Sequence, residues 1–265
     1  MIAHYFQPFI IPGILLLGVL FILIKVLSRI PITSDRTQEY VRKTLHISMG
    51  SICLSFPWIF QSGLVVSLLA FLSTSILCVI RYCKGFFLSK MKSVICSNSR
   101  LSYGEFYFPA AVAITFILSG GEPLLYTVPI AILTFADASS ALFGIKYGRH
   151  PFKYLPFKKS YEGSLAFFLV SFIVSVIGLA AFSDIDTRFI LMVSAMVAVF
   201  TTLIEALCPV GLDNLMVPLG ALFILKTHLP MSQEDLVFRL CAMMALPFLL
   251  LLDQRNLSLR GERIK

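Results

Sequence analysis

Long apolar runs separated by short polar stretches set the frame of this chain. They predict membrane-spanning helices at about 9–28, 44–60, 63–80, 105–119, 123–144, 163–182, 187–207, 215–229 and 236–252. A bilayer core takes roughly 20 apolar residues per helix. The second, fourth and eighth runs are shorter, so the expected number of spans is eight or nine. Most loops are short, which packs neighbouring helices antiparallel. No linker, low-complexity segment or internal repeat divides the chain. The expected fold is therefore all-α: a polytopic transmembrane helical bundle forming a single integral membrane domain over 1–265. The opening stretch MIAHYFQPFIIPGILLLG lacks a basic n-region and a small-residue cleavage site, and reads as a retained first span.

Composition agrees. Of the 265 residues 58% are hydrophobic and 14% charged, against roughly 25% charged in soluble domains, and the mean hydropathy is +0.89. A net charge of +8 would suggest nucleic acid in a soluble protein. Here the positive charge sits in alternate loops, so no nucleic-acid partner is implied. With the N-terminus outside, the inner loops 29–43, 81–104, 145–162, 208–214 and 253–265 hold 18 of the 22 Lys and Arg residues. Lys25 lies near the inner end of the first span, and only Arg188, Lys226 and Arg239 fall on the outer side. The positive-inside rule then places the N-terminus outside and the C-terminus in the cytoplasm. The six cysteines form no CxxC pair and no His/Cys metal spacing, and read as buried free thiols.

Five polar clusters interrupt the apolar pattern: Arg42, Lys43 and His46; Ser102 to Glu105; Asp137; Glu205; and Asp213 with Asn214. The charge-based topology puts all five on the cytoplasmic side. Some have ordinary structural readings. Arg42 and Lys43 suit headgroup anchors, Ser102 with Glu105 fits a capping box, and Asp213 and Asn214 suit helix caps. Asp137 and Glu205 are harder to place this way, because a carboxylate inside an apolar run costs kilocalories unless it is paired or bound. After Asp137 comes a basic loop carrying Lys146, Arg149, His150, Lys153, Lys158 and Lys159, then Glu162. Lysines beside an intramembrane carboxylate point to phosphate, with a divalent metal between; a lipid-touching basic surface is the simpler alternative. Gly144, Gly148 and Gly163 allow φ > 0 turns and close backbone approach, as in a phosphate cradle, although Gly144 and Gly148 also form a helix-packing GxxxG. No Walker motif is present.

Taken together, GIKYGRHPFKYLPFKKSYEGSLAF resembles the signature loop of membrane kinases of polyisoprenoid alcohols and related lipids: dolichol kinase, phytol and farnesol kinases, and the CTP-dependent diacylglycerol kinase of fungi. These belong with phosphatidate cytidylyltransferase in one broad superfamily. RKTLHISMG resembles the R-K-x-x-H segment of the phytol kinase branch, SYGEFYFPAA its S-x-G-E-x-Y-F-P segment, and EALCPVGLDNLMVPL its E…D-N-x-x-V-P segment. The matches run in the family's order from about 41 to 219. The family's usual Gly-Asp is here Ala136-Asp137. The runs expected of the cytidylyltransferase branch, K-R-x(4)-K-D and a late His-Gly-Gly, are absent from the sequence.

The resemblance implies phosphoryl transfer from a nucleoside triphosphate, CTP with ATP as the alternative, to the hydroxyl of a membrane lipid alcohol such as a polyprenol, dolichol, phytol or diacylglycerol. It implies Mg²⁺ held by Asp137 with Asp213 or Glu205. Lys158 and Lys159 would neutralise the triphosphate with Arg149 or Lys146, and Gly144, Gly148, Glu162, Gly163 and Asn214 would shape the nucleotide site. Arg42, Lys43 and His46 would complete it, and Glu105 or Asp213 would take the substrate's proton. The alternatives are a CTP-using nucleotidyltransferase that makes a CDP-lipid, a transporter, and a non-catalytic relative. The expected location is a multi-pass membrane protein with its site on the cytoplasmic face. The composition suits a plasma, endoplasmic reticulum or plastid membrane equally.

Overall fold

The computed structural model describes residues 2–83, 85–95, 103–152, 159–209 and 211–245. Among these the chain is helical, and its only pairing of extended backbone is a single antiparallel bridge between Pro151 and Ser160. The helices are α1 Ile2–Leu27, α2 Asp35–Cys53, α3 Phe56–Ile59, α4 Gly63–Tyr82, α5 Phe86–Ile95, α6 Gly104–Ser119, α7 Pro123–Ala131, α8 Asp137–Tyr147, α9 Tyr161–Phe182, α10 Thr187–Leu207 and α11 Asp213–His228. A wide π turn, Ile132–Ala136, joins α7 to α8 into one continuous 25-residue element. A further helical stretch covers 233–245.

Among the described residues four helices are long and apolar enough to cross a membrane: Gly63–Tyr82, Pro123–Tyr147, Tyr161–Phe182 and Thr187–Leu207; Ile11–Leu27 and Gly104–Ser119 are shorter apolar helices. Their outward faces are apolar as well. On α9, Leu165, Leu169, Ile173 and Ile177 recur every four residues and are each about half exposed or more. Such a stripe is rare on a soluble monomer and natural against lipid tails.

The α7–π–α8 element is the centre of the bundle. Its Val128 and Ile132 enter one core with Phe167 of α9, Val193 of α10 and Val217 of α11. Its Tyr126 and Ile130 enter a second with Phe56, Val66 of α4 and Phe116 of α6. Pro129, which has no N–H to donate, sits inside α7 just before the wide turn. Gly50 of α2 lies directly against this turn: a Cβ there would fall 2.8 Å from the Cβ of Thr134, with the Thr134 hydroxyl closer still. Gly50→Ala is accordingly expected to destabilise the fold by about 1–3 kcal/mol, read as a lower Tm in detergent micelles.

The helices depart from the apolar runs in several places. α2 starts at Asp35 rather than 44, because Ser34 caps it by accepting the Thr37 N–H at 3.2 Å. It stops at Cys53, and α3 is a separate turn. The loop 81–104 contains α5. The fifth run extends to Tyr147, so Asp137 lies ten residues, about 15 Å, before the helix end rather than one or two turns. Ser102 and residues 246–252 lie outside the described residues. Tyr103 occupies the N-cap of α6 with no side-chain cap bond, and Glu105 turns elsewhere, as shown below. Asp213 and Asn214 begin α11, but its N-cap is Leu212.

Candidate active site

The polar clusters gather at one end of the bundle. On α2, Lys43 is 3% exposed and points at α8, where its Nζ donates to Asp137 Oδ2 at 2.5 Å. His46, one turn on, stands 3.4 Å from the same oxygen. Its Nε2 also lies 2.8 Å from the carbonyl of Leu133. That carbonyl belongs to the π turn, which loosens the regular helical ladder. Arg42 is paired with Glu39 through contacts of 2.5 and 3.1 Å, and lies within electrostatic reach of Asp137 and Asp213.

One turn after Asp137, Ser140 donates to Glu205 Oε1 at 3.2 Å, and Ser164 of α9 reaches Glu205 Oε2 at 3.4 Å. Lys159 lies 3.2 Å from Glu205 Oε1 and 3.1 Å from Asp213 Oδ2, and also donates to the Glu205 main-chain carbonyl. Burial works against the Lys159 ammonium, but the Glu205 and Asp213 carboxylates outweigh it and hold its pKa above the ordinary lysine range. Asp213 Oδ1 accepts the N–H groups of Gly211 (3.0 Å) and Asn214 (3.1 Å), in a turn where Gly211 takes φ +100°. Asn214 Nδ2 donates to the Gly104 carbonyl at 3.0 Å. Next to it Glu105 pairs with Arg81, whose guanidinium lies 4.6 Å above the Tyr103 ring. The polar groups thus run from α2 through α8, α10, Lys159 and α11 to α6.

The basic loop behaves differently from its sequence reading. Lys159 is drawn inward to the two carboxylates, whereas Lys146 and Arg149 are exposed and the Lys146 ammonium lies 5.0 Å from the Tyr147 ring centre. Lys153 and Lys158 lie outside the described residues. Glu162 clasps the loop by accepting the His150 N–H, with the His150 ring 2.6 Å away. The Phe152 N–H to Lys159 carbonyl (2.9 Å) and Tyr161 N–H to His150 carbonyl (3.1 Å) bonds close its base. None of Gly144, Gly148 and Gly163 takes φ > 0; among the described residues only Gly120, Gly121 and Gly211 do. Gly148 and Gly163 sit in close packing. A Cβ on Gly163 would stand 3.0 Å from the Ser140 carbonyl, and one on Gly148 would stand 2.9 Å from Ser160 Oγ.

Among the described residues no group of three or more His, Cys, Asp or Glu side chains is disposed to hold a metal ion. Asp137 pairs with Lys43, while Glu205 and Asp213 share the single ammonium of Lys159. Sequence reasoning did not single out Ser140, Ser164, Arg81 or the Leu133 carbonyl. Ser140, three residues after Asp137 and so on the same helical face, was the one with a readable signal.

Beside the polar cluster opens an apolar slot of about 110 Å³ between α1, α2, α4 and α6. Arg42, His46, Glu105 and Asn214 line it together with apolar side chains, and Phe56 lies at the far end of α2. The free cysteines 53, 78, 83, 208 and 241 form no disulfide.

No family model matches the chain, and no solved structure matches it. Among curated proteins, it is 30% identical to the phytol kinase of Synechocystis sp. over 212 residues, 78% of this chain and 86% of that protein. It is 31% identical over 150 residues to a probable phytol kinase 2, chloroplastic, of Oryza sativa subsp. japonica, which covers 52% of this chain and 47% of the rice protein. Identity at this level, extending over most of both this chain and the Synechocystis enzyme, establishes that the chain belongs to the phytol kinase family.

Proposed function

We propose that this protein is a lipid-alcohol kinase that moves the γ-phosphoryl group of CTP onto the hydroxyl of a membrane isoprenoid alcohol, phytol being the first substrate to try. One observation carries the reading beyond family membership: His46 belongs at once to the Lys43–Asp137 cluster and to the lining of an apolar slot, where Arg42 lies beside it. A reaction between a soluble triphosphate and an insoluble alcohol needs such a junction. Phosphoryl transfer demands positioned charge more than covalent help from the protein. Lys43, Arg42 and Lys159, with Lys158 from the basic loop, would supply positive charge to the phosphates. Glu105, at the slot, would accept a hydrogen bond from the alcohol. Its oxygen attacks the γ-phosphorus, the bond to the bridging oxygen breaks, nucleoside diphosphate leaves, and the hydroxyl proton passes to the carboxylate. Both carboxylates are ion-paired, Glu105 with Arg81 and Asp213 with Lys159, but Glu105 lines the slot and Asp213 does not, which favours Glu105 as the proton acceptor.

The donor chemistry fits Mg²⁺, which prefers one or two carboxylates plus phosphate oxygens over an all-protein cage. Asp137, with Asp213 or Glu205, would hold it, and when bound it would offset phosphate charge. The charge pattern of the loops supports an outer N-terminus and a site facing the cytoplasm, where nucleotide is available.

The test uses purified protein with Mg²⁺ and γ-labelled CTP or ATP, offered phytol, farnesol, a polyprenol and diacylglycerol. Label from CTP in phytol is the expected result. Transfer only from α-labelled CTP to phosphatidate would overturn the kinase reading in favour of a CDP-lipid synthase. In the same assay Lys158→Ala is expected to raise the KM for nucleotide while leaving kcat nearly unchanged; an unaltered KM would assign that lysine to the lipid surface.

A further inference from the structure

We propose that the slot between α1, α2, α4 and α6 seats the hydrocarbon tail of the alcohol, and that Phe56 at its floor sets the longest tail accepted. This rests on the kinase reading for the identity of the ligand. α2 carries the slot along one stripe, Arg42, Leu45, His46, Met49 and Cys53, the spacing of a single helical face. The stripe spans twelve residues, from Arg42 to Cys53, about 16 Å of helix. α6 runs alongside from Gly104 and Glu105 to Val112, and α4 runs oppositely from Val66 to Leu77, with Leu16 and Leu20 of α1 completing the lining.

The four polar residues that separate this slot from an ordinary packing void are all at one end. Arg42 and His46 lie midway along α2 and head its slot-lining stripe, Glu105 opens α6, and Asn214 opens α11. Beyond them the lining is apolar apart from Ser73. Close-packed interiors leave few voids larger than a water molecule, and an apolar void of about 110 Å³ has room for part of a hydrocarbon chain, the helices parting to seat the rest. An amphiphile with one polar head and an apolar tail matches that polarity. Its head would lie where His46 meets Asp137 at 3.4 Å.

The far end is built to be rigid. Phe56 is 3% exposed and packs edge-on to Phe60, with ring centres 5.0 Å apart. It stacks on Tyr126 at 6.4 Å. The Tyr126 hydroxyl donates to the Cys53 carbonyl at 3.0 Å, which fixes the end of α2 just above it. A floor held this firmly limits tail length, whereas a tail lying free among the outer helices would meet no stop.

The experiment combines two variants with a direct probe of position. Ala70→Phe places a ring in the middle of the slot, and Phe56→Ala removes the floor. Both are assayed on alcohols of increasing isoprenoid length, after a check that each keeps a monodisperse profile in detergent. Ala70→Phe is expected to raise the KM for long alcohols by about tenfold or more with the KM for CTP unchanged. Phe56→Ala is expected to move the preferred length upward. In parallel, an isoprenoid alcohol bearing a diazirine at its tail is photolysed on the wild-type protein. Adducts on Met49, Leu69 or Phe56 support the slot, including in a protein that transfers no label, where only the kinase reading would fall. Adducts confined to the outward-facing Phe71 and Leu72, or folded variants with the wild-type length profile, would overturn it.

Discussion

Asp137→Asn is expected to lower kcat about 10²–10³-fold, the scale for removing one preorganised electrostatic group from a site of developing charge. Asp137 is 8% exposed and is held by the nearly buried Lys43. Its loss therefore also leaves an ammonium without its partner, a change that costs about 3–5 kcal/mol when a buried pair is broken from one side. The two effects separate in a second variant. Asp137→Asn combined with Lys43→Met removes the stranded charge, and its Tm is expected to recover toward wild type. Turnover is expected to stay low, because neither the carboxylate nor the cation is restored. Label transfer and thermal unfolding on the same preparations decide the matter. Activity that returns together with Tm would reduce the pair to a structural role.

Lys159→Ala is expected to be the most destabilising single change in the site. One ammonium faces two carboxylates, Glu205 and Asp213, and also bonds the Glu205 carbonyl. With Lys159 gone, two acidic groups, one of them 5% exposed, share a site without their counter-charge. A cost of about 3–5 kcal/mol follows from breaking such a pair. The folded-state pKa of Lys159 is raised, so its contribution is fully present below the ordinary lysine value and is lost only as pH climbs through the raised one. Glu205→Gln added to Lys159→Ala removes one of the stranded charges and is expected to restore part of the lost Tm. If it does so while the KM for CTP stays high, Lys159 serves both the fold and the phosphates; a Tm unaffected by Lys159→Ala alone would remove it from the scaffold.

The motifs RKTLH, SYGE, Asp137 and EALCPVGLDN announced themselves in the sequence because polar groups in apolar runs demand compensation. All of them meet at one end of the bundle. Which group compensates which was not legible. Lys43 and Lys159 both read as phosphate ligands or surface anchors, yet each is already engaged with carboxylates, Lys43 across 94 positions of sequence. The glycines of the basic loop allowed φ > 0 turns, yet none of the three takes one, and Gly148 and Gly163 are closely packed. Glu105 read as a cap and pairs instead with Arg81, which carried no motif of its own.

By itself, the sequence determined that the chain is helical and apolar and which polar residues need partners. These follow from composition and local periodicity, which act along the chain. The tertiary structure decided the partners, the face each helix presents and the existence of the slot. One inserted residue turns a helix face by about 100°, and the π turn at Ile132–Ala136 shifts register just before Asp137. The direction of that carboxylate, and therefore its meeting with Lys43 and His46, arises only when α2 packs through Gly50 against the turn.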